Sequence, residues 1–194
     1  SRLAAIALGQ EQSACGSAAE NARSNVIGRL ARIYRCEGDA ISLHPSGMSA
    51  LHRALQLIST IRPNRPVLQI GFPYVDVLKL PQVVFNGAEL LLDDSAASVG
   101  DALERLEPSA VVVELPSNPL LRCIDLPTIA SLAHRQGIPV IADDTIGSGV
   151  NIDALRHADL VFSSLTKSFA GRGDVLAGSL VLSPHSSWRD QLAA

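Results

Sequence analysis

The chain has two lysines, Lys79 and Lys167, and the second stands in an uncharged stretch, Ser163-Ser-Leu-Thr-Lys-Ser-Phe-Ala-Gly171. An amine beside an apolar segment and near Gly171, Gly173 and Gly178 is expected to be partly buried. Burial lowers its pKa and makes it a usable nucleophile toward a carbonyl carbon. Ser164 and Thr166 bring two hydroxyls to the same stretch, suited to bonding an anionic group. Ser46-Gly47-Met48 opens an apolar-periodic run, so a helix begun there offers free N–H groups and a positive dipole end to a phosphate. Asp143, with Asp144 and Thr145 beside it, could hold a ring nitrogen protonated, and Tyr74 could stack on the ring. Singly, each has a plainer reading: a solvated lysine, an ordinary Ser N-cap, a turn aspartate, a rim aromatic. Together, a phosphate seat, a lysine and an aspartate describe a site for pyridoxal 5′-phosphate.

These residues need elements to bring them together. Helical spacing runs from Asn21 to Tyr34 through Val26, Ile27, Leu30 and Ala31, and again from Ser46 through Ala50, Leu51, Ala54, Leu55 and Ile58 until Pro63 and Pro66 end it. A third helix over 98–106 turns Val99, Leu103 and Leu106 inward. A fourth starts at Pro127 and runs to Gln136, stopped by Gly137. Apolar segments at 67–70, 87–92, 111–114, 139–142, 160–163 and 179–182 read as strands. Strands alternating with helices imply an α/β fold with a mostly parallel sheet and helices on both faces. In such sheets ligands bind beyond the carboxyl ends of the strands. There the polar residues gather: Tyr74 and Asp76, then Glu114, Ser117 and Asn118, then Asp143 to Thr145, then Ser163 to Lys167.

Over 194 residues, 16 Lys and Arg against 19 Asp and Glu give a net charge of −3, with 47% hydrophobic and 18% charged residues and a mean hydropathy of +0.23. That balance excludes a disordered chain. With no basic excess, it also argues against nucleic acid or a membrane surface as partner. No apolar run reaches the ~18 residues of a membrane span. The N-terminal Ser1–Ile6 lacks the charged and long apolar regions of a secretory signal. Cys15, Cys36 and Cys123 form neither a disulfide framework nor a metal pattern, and His44, His52, His134, His157 and His185 have no metal-ligand spacing. A cytoplasmic location is expected. So apolar a chain is also expected to cover part of its surface with a partner.

Five motifs occur in order between residues 40 and 182: Pro45-Ser-Gly-Met48, Phe72-Pro-Tyr-Val-Asp76 with Leu78-Lys79, Glu114-Leu-Pro-Ser-Asn-Pro119, Ile141-Ala-Asp-Asp-Thr145 and Ser164-Leu-Thr-Lys-Ser-Phe-Ala-Gly171 running on to Gly178. This set resembles the Cys/Met-metabolism family of fold-type I enzymes dependent on pyridoxal phosphate, nearest its branch of fungal-type cystathionine γ-synthases. The resemblance implies that Lys167 bonds the cofactor covalently and removes the substrate's α-proton. It implies that Asp143 pairs with the pyridine nitrogen and that Tyr74, counted with Lys167 as catalytic, stacks on the ring. Asn118 would reach the 3′-oxygen. Gly47, Met48, Ser164 and Thr166 would hold the phosphate, with Thr145 completing the cofactor set.

The implied reaction is γ-replacement of an O-acyl-homoserine by cysteine; a cystathionine γ- or β-lyase and a non-catalytic, cofactor-binding paralogue are the alternatives. The implied partners are an amino-acid substrate and either a second copy or copies, as homodimer or homotetramer, or the missing C-terminal domain. The expected division is an N-terminal helical segment over 1–40 and a cofactor-binding large domain over 41–194. The resemblance also implies a C-terminal small domain, carrying the arginine for the substrate carboxylate, which is expected to be absent from this chain. Two positions depart from the pattern: Asp144 stands where the family has Asn, and Ile146 where it has Phe. No counterpart of the family's Tyr-x-Arg element, by which a neighbouring subunit reaches the phosphate, is found.

Overall fold

A computed structural model describes residues 17–192; Cys15 and the Ser1–Ile6 segment lie outside them. The helices are α1 (Ser17–Tyr34), α2 (Gly47–Ile61), α3 (Val75–Val84), α4 (Ala96–Leu106), α5 (Leu126–Arg135) and α6 (Arg189–Leu192). The strands are β1 (Ile41–His44), β2 (Val67–Ile70), β3 (Ala88–Leu91), β4 (Val111–Glu114), β5 (Val140–Asp143), β6 (Leu160–Ser163) and β7 (Gly178–Leu182). They form one seven-stranded sheet in the order β1-β7-β6-β5-β4-β2-β3. β2 to β6 are parallel, and β7 runs antiparallel to both β6 and β1. The class is α/β, as the alternation of elements implies.

The two-residue period of a strand divides each central strand between two cores. Val111 and Val113 of β4, Val140 and Ala142 of β5, Val161 of β6 and Val181 of β7 face α1, α4 and α5. Val112, Ile141, Leu160, Phe162 and Leu180 face the opposite way, onto α2 and α3. Burial on both faces is why these strands read as unbroken apolar runs. The helix ends follow local chemistry. Ser46 caps α2 by accepting from the Ser49 N–H at 3.1 Å, and Asp125 caps α5 by accepting from the Thr128 N–H at 3.2 Å. Gly137 ends α5 with φ of +64°.

Three elements stand where the sequence reading places none, the four-residue α6 among them. β1 is an edge strand with only Ile41 buried, so it lacks an apolar run. α3 contains Pro81, which has no N–H for the carbonyl of Val77 one turn earlier. The buried Gln69 fills that position, donating its Nε2 to Val77 O at 2.6 Å. At the amino edge of the sheet, buried Asp159 accepts from Val140 N at 2.8 Å and Ser186 Oγ at 2.7 Å, and bonds His134 Nε2 at 2.9 Å. This carboxylate ties α5, β5, β6 and the chain after β7 together, away from the polar carboxyl edge.

Candidate active site

At the carboxyl edge the loops after β1, β2, β4, β5 and β6 surround a cleft of about 420 Å³, within the size range of small-ligand sites. Gly47 and Met48 line it from the start of α2, Tyr74 from the start of α3, and Asn118 from the loop after β4. Asp143 and Thr145 enter at the end of β5, and Ser164, Thr166 and Lys167 follow β6. The nine residues singled out in the sequence thus lie on one cleft, although they come from five separate segments.

Close backbone approach sets the α2 end of the cleft. A side chain at Gly47 would press on Ser164, its Cβ 2.9 Å from that residue's Cβ, and one at Gly178 would land on the Ser46 carbonyl. Only glycine lets the helix start, the post-β6 loop and β7 meet there. The post-β6 loop is held by Thr166, whose hydroxyl donates to Ala177 O at 3.3 Å and accepts from Ala177 N at 3.1 Å. Thr145 Oγ1 accepts from the Ser164 N–H at 2.9 Å, joining the ends of β5 and β6.

Lys167 lines the cleft but is exposed. The expectation of partial burial is therefore corrected. Gly171 and Gly173 take φ of +69° and +70°, and the loop they shape leaves the lysine exposed.

The acids divide by strand alternation. Asp143 faces the cleft, fully enclosed, and accepts from the Thr145 N–H at 2.9 Å. Burial pushes its pKa up to about 6, against the pull of the Thr145 hydrogen bonds. Asp144 points through the sheet to the α1 side, where Tyr34 donates to its Oδ2 at 2.8 Å. Burial raises Asp144 to about 7, countered by the Tyr34 bond and reinforced by the charge of Asp143. Tyr34 itself is driven well above the usual phenol range by burial and by Asp144. Glu114, at the end of β4, is raised to about 7 by burial and then by Asp143. Its Oε2 accepts from the Tyr74 N–H at 2.6 Å. The sequence marks Glu114 only as a polar strand end, and no local signal pairs Tyr34 with a residue 110 positions away.

The donors fit pyridoxal phosphate. N–H groups at the first turn of α2, the hydroxyls of Ser164 and Thr166, a buried carboxyl and an amine all line the same cleft, and Gly47 lets α2 approach Ser164 closely. Among the described residues no group of three or more His, Cys, Asp or Glu is placed to hold a metal ion, and no helix is long and apolar enough to cross a membrane.

Comparison with known proteins gives the same direction. Residues 18–194 match the family model described as Cys/Met metabolism PLP-dependent enzyme. The chain is 40% identical over 162 residues to cystathionine gamma-synthase of Neurospora crassa, covering 78% of this chain and 26% of that protein. It is 36% identical over 160 residues to the L-2-amino-4-chloropent-4-enoate dechlorinase/desaturase of Streptantibioticus cattleyicolor, covering 78% of this chain and 32% of that protein. In fold it superposes on metB from Corynebacterium glutamicum with a TM-score of 0.74 at 22% identity, covering 84% of this chain and 42% of that one. The chain spans about a quarter to a third of the length of these two curated relatives.

Proposed function

Because the chain belongs to the Cys/Met metabolism family of PLP-dependent enzymes, we propose that it is the cofactor-binding portion of a cystathionine γ-synthase-like enzyme. The reaction proposed is replacement of the γ-acyloxy group of an O-acyl-homoserine by the thiol of cysteine. The observation that carries the proposal is that Lys167 and Asp143, from different strand ends, line one cleft with the N-terminus of α2. The similarity to the Neurospora protein supports the choice of reaction.

When bound, pyridoxal phosphate supplies an aldehyde for amines and a protonated ring that draws electrons from the substrate's α-carbon. The N–H groups of Gly47 and Met48 and the Ser164 hydroxyl would hold the phosphate, and the Thr166 hydroxyl would join them by turning from Ala177 O, to which it donates in the free chain. Asp143, steered by the Thr145 N–H, keeps a proton on the ring nitrogen. Its pKa of about 6 leaves it anionic at neutral pH, the state this task needs. Tyr74 would cover one face of the ring, and Asn118 would bond the 3′-oxygen. Lys167 Nζ is the amine that would hold the cofactor's aldehyde carbon, and as a free amine it would take the substrate's α-proton. In the net reaction the Cγ–O bond breaks with its electron pair leaving on the carboxylate, a C–S bond forms, and the thiol proton balances the charge.

Exposed Val83, Leu92, Leu120, Leu121, Val150 and Leu176 support burial against further copies or a second domain. A second reading, elimination without replacement, is favoured by the similarity to a protein named for dechlorination. Product analysis of the purified holoenzyme separates the two. Cystathionine formed from O-acyl-homoserine plus cysteine is the result expected. Keto acid released from cystathionine alone, with no replacement product, overturns the synthase reading.

A further inference from the structure

Glu114 has no part in the scheme above, yet it is 5% exposed at the rim of the cleft, beside Asp143 in the sheet register. Burying a carboxyl next to another acid is costly, and burial and Asp143 together press it toward its neutral form. Two backbone N–H groups oppose that cost, those of Tyr74 and Asn118. The Tyr74 bond is the shorter kind expected of a charged acceptor, at 2.6 Å.

The need for an acceptor at Tyr74 lies in α3. Tyr74 is the N-cap of that helix and provides no side-chain cap. In a capping box, a Glu or Gln at the third helical position reaches back to the N-cap N–H. Here that position is Val77, which cannot do so. Glu114 supplies the missing carboxylate from β4, where the α3 dipole also favours a negative group. The backbone of Asn118, in the loop after β4, also lies where it favours the charged form of this carboxylate.

We infer that Glu114 is a positioning residue that fastens the Tyr74 segment and the Asn118 segment to one another and so fixes the spacing of the cleft's two walls. For the cofactor this rests on the reading of Tyr74 and Asn118 as its contacts; for the fastening itself it does not.

Hydrogen exchange of the chain without cofactor tests the fastening. Losing a buried charged acceptor should let both segments open, so Glu114→Ala should speed exchange about tenfold at 72–78 and 116–121 together. Glu114→Gln, which keeps an acceptor oxygen, should restore slow exchange to within about twofold. Unchanged exchange at either segment in Glu114→Ala, or a Gln variant as fast as the Ala variant, overturns the inference. If the Ala variant fails to fold, Glu114→Asp, with its carboxylate drawn back by one methylene, must still speed both segments, and unchanged exchange there overturns it equally. Absorbance titration with pyridoxal phosphate reads the other half: affinity about tenfold weaker in the Ala variant and near wild type in the Gln variant. Faster exchange with unaltered affinity supports the fastening and counts against Tyr74 and Asn118 as cofactor contacts.

Discussion

Tyr34 donates to Asp144 Oδ2 at 2.8 Å, so helix α1 grips the residue that follows the strand-end Asp143. The other oxygen, Asp144 Oδ1, is buried without a hydrogen-bond partner. One face of the sheet thus carries a carboxyl toward the cleft and the next position carries one into the core. The resemblance read from the sequence implies a neutral Asn at this second position.

That substitution gives a pH-dependent outcome. Asp144 is raised by burial from 3.8 to about 7 in the folded chain. A raised acid costs nothing below its unfolded pKa, and the cost grows as pH climbs from about 4 to about 7 and the buried group must ionise. Asp144→Asn removes that term and keeps an acceptor for Tyr34. Its stability relative to wild type should therefore rise between pH 5 and pH 8, by about 1–3 kcal/mol. Thermal unfolding of both proteins at the two pH values measures it. An equal difference at both would show that Asp144 is already ionised in the folded chain at pH 5, so that burial does not raise it as described.

Gly178 sets the entry of α2. A methyl there meets the Ser46 carbonyl and Gly47 nitrogen, backbone atoms that no rotamer change can move aside. Gly178→Ala should cost about 2–4 kcal/mol in denaturant unfolding. Gly100, in α4 with open space around it, provides the contrast: Gly100→Ala should stabilise by about 0.5–1 kcal/mol. Equal effects at the two sites would mean that the contact with Ser46 is not tight.

Much of this architecture is legible in the sequence because central strands buried on both faces leave long apolar runs, and because Ser46, Asp125 and Gly137 mark helix ends. α3 is hidden by Pro81, whose missing bond is replaced by Gln69 from another strand. β1 is hidden because an edge strand with a single buried residue carries too little pattern. At the site, residue types at strand ends are enough to bring nine positions to one cleft. What escapes is pairing across the fold: Tyr34 with Asp144, and Glu114 with Tyr74, join residues 110 and 40 positions apart. The exposure of Lys167 escapes as well, since neighbouring glycines do not state which way a loop turns.

The central claim is that Lys167 is the amine that bonds the cofactor. Borohydride reduction of the chain mixed with pyridoxal phosphate, followed by peptide mass mapping, tests it with little ambiguity because Lys79 is the sole other lysine. The expected result is one pyridoxyl group on the peptide holding Lys167, lost together with the visible absorbance band in Lys167→Ala. A label on Lys79, or the same label and absorbance in the Lys167→Ala protein, would contradict it.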